Sequence, residues 1–149
     1  MKRIVPAVLV VALALPAHAA AAKREYSGAV DAASGSIEFT LKKRKATKKR
    51  PKTTSVRRFS FDEVPVTCEG ALGTTTGHLT FGMRVIDKRF GARGADDEGS
   101  NVRVKGTLKQ KGKRVVGTLR LFGDVPLDPD ARRGANCATG KLRWTAQRV

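Results

Sequence analysis

A run of basic residues between positions 42 and 58 has the clearest chemistry in this sequence. The segment KKRKATKKRPKTTSVRR places ten Lys and Arg among seventeen residues. Clustered cations bind polyanions by releasing condensed counterions, so the run predicts contact with phosphate-rich polymers, anionic lipid headgroups or nucleic acid. No aromatic residue lies among the cations, which leaves base stacking and sequence-specific readout without support. The candidate binding residues are Lys42, Lys43, Arg44, Lys45, Lys48, Lys49, Arg50, Lys52, Arg57 and Arg58.

The same run separates two stretches that read as strands. It carries little apolar surface and has Pro51 near its centre, so we expect a long, mobile, cationic loop over 42–58. The alternative interpretation is a solvated loop whose charge only maintains solubility.

Catalytic chemistry has few candidates. His78 is the one imidazole outside the N-terminal segment, and its place at a strand start beside three threonines is typical of a surface histidine. Acidic pairs at 62–63 and 96–98 could supply paired carboxylates, but adjacent residues in a strand point to opposite faces and turn acids are usually solvated. We therefore predict a protein that is not an enzyme and needs no cofactor.

Two acidic turns leave calcium binding open, because hard cations prefer several loop oxygens. One turn covers 96–101 and the other 124–130, and neither spacing matches the twelve-residue calcium loop. Neighbouring arginines would serve equally well as exposed ion-pair partners. We assign no metal ligand.

The N-terminus has the features of a cleavable export signal. A positive n-region precedes an apolar stretch over 4–15, and the small-residue cleavage pattern follows at 17–19. We predict a signal peptide at 1–19 and a single secreted domain at 20–149, extracellular or associated with the cell envelope. The alternative is an uncleaved anchor, for which the apolar stretch is short.

The predicted mature chain is strongly basic and has two cysteines. Two of the 30 Lys and Arg lie in the leader, which leaves 28 basic against 13 acidic residues. An even number of cysteines in an exported chain predicts a disulfide between Cys68 and Cys137. Closing that loop would stabilise the fold by about 4 kcal/mol, because the disulfide lowers the conformational entropy of the unfolded chain.

Apolar and polar residues alternate in short stretches bounded by glycine, as in half-buried strands. The inward positions are Ile37, Phe39 and Leu41; Phe59 and Phe61; Leu79, Phe81, Met83 and Val85; Val102, Val104 and Leu108; Val115, Leu119 and Leu121; and Leu142, Trp144 and Ala146. We expect an all-β domain, an antiparallel β-sandwich of seven or eight short strands, with a small closed β-barrel as the alternative. The sandwich is preferred because the cysteines suit a staple between two sheets.

Sugar binding on such a fold generally needs exposed aromatic platforms. Trp144 alternates in phase with the core positions and is expected inside. Tyr26, Phe90 and Phe122 are the aromatic residues left for this role.

Four short motifs lie along the chain: Tyr-Ser-Gly at 26–28, Thr-Cys at 67–68, Gly-Thr-Leu-Arg at 117–120 and CATGKLRWTA at 137–146. With these motifs the chain resembles small exported β-proteins of GC-rich actinobacteria. The resemblance implies an all-β fold and an exported location, and it transfers no activity and no functional residue. The basic run is heavier than is usual for that group.

These features together predict a secreted, non-enzymatic protein that contacts an anionic envelope polymer or membrane surface through 42–58. The alternative is a structural or protein-interaction module that binds another exported protein through its sheet faces or edges. Sequence-specific recognition of nucleic acid is not indicated.

Overall fold

The computed structural model describes residues 22–31, 33–130 and 132–149, and the predicted signal peptide and its cleavage point lie outside these ranges. The described chain is all β. Its strands are β1 (Lys23–Val30), β2 (Ser36–Arg44), β3 (Thr53–Cys68), β4 (Ala71–His78), β5 (Met83–Arg84), β6 (Arg89–Ala95), β7 (Asn101–Lys109), β8 (Arg114–Leu127), β9 (Arg132–Ala138) and β10 (Leu142–Arg148). No helix in these ranges is long and apolar enough to cross a membrane.

Every strand pairing is antiparallel, which confirms the predicted fold class. The described residues form ten strands rather than the predicted seven or eight. Two of them are longer than predicted, since β3 has 16 residues and β8 has 14. Each long strand pairs with different neighbours along its length. β7 and β8 form a hairpin, joined by a 3-10 turn at Gln110–Gly112.

The strands follow the order β10-β1-β2-β3-β9-β8-β7-β6, with β4 and β5 both paired to β3. β8 also pairs with β10, so the path of pairings returns to its starting strand. The two layers of this sandwich-like fold are therefore parts of one sheet that folds over its own apolar face.

The core lies between those layers. A single cluster of buried side chains draws on β1, β2, β3, β5, β6, β7, β8 and β10. Phe39 of β2 lies 5.8 Å from Phe90 of β6 and 5.9 Å from Trp144 of β10, measured between ring centroids. Because β2 and β6 are not neighbours in the sheet, the contact between their aromatic rings crosses the core.

Two of the aromatic residues considered for sugar binding belong to this core. Tyr26 is 2% exposed, stacks on Phe39 and donates a hydrogen bond to the Gly112 carbonyl at 2.6 Å. Phe90 is 5% exposed. Neither ring can therefore serve as an exposed platform for a sugar, because both follow the inward alternation of their strands. Phe122 is half-buried.

The basic run over 42–58 is a β-hairpin, so the prediction of a long loop was wrong. Lys42, Lys43 and Arg44 pair with Ser55, Thr54 and Thr53. Residues 45–52 connect the two strands. Within this connection Thr47 and Arg50 each donate a backbone N–H to the carbonyl of the other, which closes a tight turn. The segment Thr-Thr-Ser-Val at 53–56 favours strand, and successive cations on β2 point to opposite sides, which limits their mutual repulsion.

The predicted disulfide between Cys68 and Cys137 is present, and both residues are buried. It joins the end of β3 to β9, which lie side by side through the Thr67–Ala138 pair, so the expected staple between facing sheets was wrong. The reason is the length of β3, which continues beyond the main core. There the disulfide forms a second apolar cluster together with Val66 and Val125.

We predict that the double variant Cys68→Ser/Cys137→Ser folds with a free energy of unfolding lowered by about 2 to 5 kcal/mol, because the loop closed by the disulfide is released. Urea unfolding followed by circular dichroism measures the change, with reduced wild-type protein as the control. Equal stability of oxidised wild type and the double variant would contradict the prediction.

Candidate polyanion-binding groove

A row of polar side chains crosses the outer face of β1, β2, β3 and β5. Lys23 pairs with Lys42, Lys42 with Ser55 and Ser55 with Arg84. Directly paired residues in antiparallel strands share a face, so these four side chains point away from the core in one line. At ordinary strand spacing the row is about 14 Å wide.

A β-bulge in β3 brings two more cations to this face. Val56 and Phe59 are both buried, yet only Arg57 and Arg58 separate them, and both arginines are exposed. The pairing register with β2 shifts at this point, and Arg58 has a φ of 51°. The extra residue thus turns adjacent arginines outward at a cost in backbone strain, a use of bulges that is common near functional sites.

Except for Arg84, these side chains line an open cavity of about 900 Å³. Its basic residues define what we call the hairpin groove: Lys23, Lys42, Arg44, Arg57 and Arg58. Hydroxyl groups add hydrogen-bond donors: Thr40, Ser55, Ser60 and Thr80. The described lining contains no Asp or Glu, so the groove presents positive charge and donors to whatever enters it.

The position of Arg57 depends on a glycine across the groove. A Cβ atom built on Gly82 would lie between 2.8 and 2.9 Å from three atoms of the Arg57 side chain, including Nη1 and Cζ. The arginine therefore lies flat against the Gly82 backbone. Any larger residue at position 82 would push the guanidinium away from the groove wall.

Among the described residues, Lys42, Arg44 and Arg57 of the groove form no ion pair, whereas Glu25 pairs with Lys23 and lies near Arg58. The ion pairs found among the described residues are Lys23–Glu25, His78–Asp97 and Arg132–Asp130. None of them uses a cation from the basic run. Such an arrangement favours an anionic partner from outside the protein, because an anion that binds between exposed cations relieves their mutual repulsion.

A second group of cations lies on the other side of the hairpin. Lys43 follows Leu41 on the core-facing side of β2, near Arg24 and Lys52. Partial burial, followed by the positive charges of Arg24 and Lys52, lowers the pKa of Lys43. An anion bound beside Lys43 would favour the charged amine and so raise the pKa of Lys43 again.

The ten predicted binding residues are thus divided by the structure. The groove contains Lys42, Arg44, Arg57 and Arg58; Lys43 and Lys52 lie on the opposite side of the hairpin; and Lys45, Lys48, Lys49 and Arg50 belong to its turn. Lys23 was missed, since it is distant in sequence from the run. The alternation of β1 places Lys23 outside, but only the strand register brings it to Lys42.

His78 lies at the border between the hairpin groove and an acidic cavity of about 560 Å³. The acidic cavity is lined by carboxylates from both predicted acidic turns, through Asp97, Glu98 and Asp128. The His78 imidazole Nδ1 lies 2.9 Å from Asp97 Oδ2, and the His78 backbone N–H donates to Asp97 Oδ1 at 2.7 Å. The two contacts fix the histidine at the end of β4.

Ser60 is paired with His78 across β3 and β4, which raises the question of nucleophilic chemistry. Nucleophilic attack needs the hydroxyl to donate to the imidazole. The Ser60 hydroxyl instead donates to the Glu38 carbonyl, at 3.4 Å. In this geometry Asp97 holds His78 beside the groove, and the Ser60 hydroxyl is directed to the Glu38 carbonyl rather than to the imidazole.

The acids mainly organise the turns in which they lie. Asp96 is 5% exposed, and its Oδ1 accepts from the backbone N–H groups of Glu98 and Ser100. Burial raises the pKa of Asp96. The Thr76 hydroxyl lies 2.7 Å from one oxygen of Asp62. Within the described ranges, no three Asp, Glu, His or Cys residues are arranged to hold a metal ion.

Comparison of the chain with protein-family models, with curated proteins and with solved structures found no match.

We predict that Arg58→Gly weakens polyanion binding while leaving the fold unchanged in stability or more stable by up to about 1 kcal/mol, because glycine adopts a positive φ without a steric penalty. The matched control is Arg58→Gln, which removes the same charge but keeps the strain. Thermal unfolding and a binding titration are measured on both. A loss of stability in Arg58→Gly larger than in Arg58→Gln would show that the bulge strain was misjudged.

Proposed function

We propose that this protein is an exported, non-enzymatic binding protein that holds a linear, phosphate-bearing polymer of the cell envelope in the hairpin groove. The observation that supports this function best is a wide groove with five cationic side chains and no carboxylate in its described lining. Phosphate groups combine full negative charge with several acceptor oxygens, and both lysine and arginine bind them well.

The shape of the surface favours a chain over a small molecule. Lys23, Lys42 and Arg84 belong to one row across the sheet, and Arg57 and Arg58 lie beside it. Successive charges of a polymer can contact such a row together, which multiplies the released counterions. A cavity of about 900 Å³ that opens to solvent also suits a segment of a longer molecule.

The same shape favours a polymer over a bilayer. A flat membrane surface would contact exposed cations, such as those of the turn at 45–52, more readily than the walls of a cavity. The groove residues would then contribute little to membrane binding. The β-bulge at Arg58 and the contact between Arg57 and Gly82, which position the groove arginines, would have no role in it. Lipid headgroups are therefore the competing outcome of the test below.

Two further features support the location. A buried disulfide is typical of proteins from oxidising compartments. The sequence of residues 1–19 predicts a secretory signal. Together they make a phosphate-rich envelope polymer a better candidate than an intracellular nucleic acid.

We predict that a groove variant with Lys42, Arg44, Arg57 and Arg58 all changed to Gln keeps its β structure but binds long-chain inorganic polyphosphate much more weakly. The salt dependence of its binding constant should fall by about three units on a log–log plot, close to the loss of four phosphate contacts. Fluorescence anisotropy at several salt concentrations measures this slope, and circular dichroism checks the fold.

The control for that experiment changes four exposed cations outside the groove to Gln, namely Lys88, Lys111, Lys113 and Arg132. It has the same net charge as the groove variant and should retain the wild-type slope within about one unit. A turn variant, with Lys45, Lys48, Lys49 and Arg50 changed to Gln, is compared on anionic vesicles and on polyphosphate. Equal binding by the groove variant and its control would refute the proposal, and selective loss of vesicle binding in the turn variant would replace the polymer by a membrane surface.

A further inference from the structure

A second cationic surface lies on the outer face of β6, β7, β8 and β10, far in sequence from the basic run. Arg93 pairs with Arg103, and Arg103 pairs with Arg120, so three arginines form one row across three strands. In the next row, Lys105 and Arg143 are both paired with Thr118. We call this surface the arginine face and define it by Arg93, Arg103, Lys105, Arg120, Lys141 and Arg143.

The centre of the arginine face is concave. A cavity of about 410 Å³ is walled by Arg103, Lys105, Arg120 and Lys141. Thr118 contributes a hydroxyl group, and the described lining again contains no Asp or Glu. The cavity therefore combines full positive charges with a hydrogen-bonding floor, which is the chemistry that holds phosphate groups.

This arrangement is unfavourable for the protein alone. Like charges directly opposite each other on neighbouring strands destabilise a sheet. Within the described ranges, no cation of the arginine face forms an ion pair. The contact that stands out is the Arg93 guanidinium 5.7 Å from the centre of the Phe122 ring, and it neutralises no charge. An anion bound between the rows would remove the repulsion.

The hairpin groove and the arginine face point in opposite directions. The Phe39 ring of β2 meets the Phe90 ring of β6 inside the core. Residues that alternate with Phe39 and its neighbours face outward into the groove, and those that alternate with Phe90 face outward on the other layer. A ligand chain in one site cannot reach the other without passing around the molecule.

We propose that the arginine face is a second, independent binding site for phosphate-bearing chains, so that one molecule bridges two chains. The chemical class of the ligand rests on the proposed function, but the existence of this site does not depend on the hairpin groove. Two sites on opposite sides convert a simple polymer-binding protein into a cross-linker of the polymer.

The first test counts sites with a short linear polyphosphate, too short to reach both faces, by isothermal titration calorimetry. The face variant changes Arg103, Arg120 and Lys141 to Gln, and its charge-matched control changes Lys88, Lys111 and Arg132 to Gln. We expect two equivalents bound by wild type and by the control, and one by the face variant. Because the three changed residues are exposed, the face variant should melt at the same temperature as wild type or higher.

The second test measures bridging by light scattering with long-chain polyphosphate. Wild type and the control should cross-link the chains, whereas the face variant and the groove variant should each bind without cross-linking. One equivalent bound by wild type, or two by the face variant, would overturn the second site. If the groove variant still binds two equivalents while the face variant binds one, the arginine face stands and the proposed role of the hairpin groove fails.

Discussion

The structure depends on the packing of aromatic rings across a single sheet that folds over itself. Phe39, Phe90 and Trp144 meet in the core from strands that are not all neighbours, and burying them requires the two layers to lie face to face. Because side chains alternate along a strand, each layer that buries one face must expose the other. In a chain with so large an excess of Lys and Arg, those exposed faces become cationic surfaces that point in opposite directions.

Both surfaces retain features that lower the stability of the free protein. Arg58 has a positive φ in a strand, and Arg103 lies opposite arginines on both sides. Neither feature serves the packing of the core. Local rules of this kind are most often broken where a surface binds something. The buried disulfide at the far end of β3 stabilises the same sheet through its effect on the unfolded chain.

Much of the fold could be predicted because alternation is a local signal. The stretch from Ile37 to Leu41 and the pair Phe59 and Phe61 show their inward faces in the sequence itself. The hairpin at 42–58 was misread because charge density outweighed the β-branched residues at 53–56. The surroundings of Lys23 and the row of three arginines could not be predicted, since each depends on the register between strands that are distant in sequence. The meeting of the two acidic turns in one cavity has the same cause.

We expect phosphate-bearing chains to bind two opposite cationic faces of the folded protein. Chemical-shift mapping of the isotope-labelled protein, titrated with short polyphosphate at physiological salt, tests this expectation most directly. Two separate groups of amides should shift, one around Lys42 and Arg57 and one around Arg103 and Arg120, while amides beside Asp62 and Asp128 in the acidic cavity stay unchanged. Shifts confined to the turn at 45–52 would contradict this expectation.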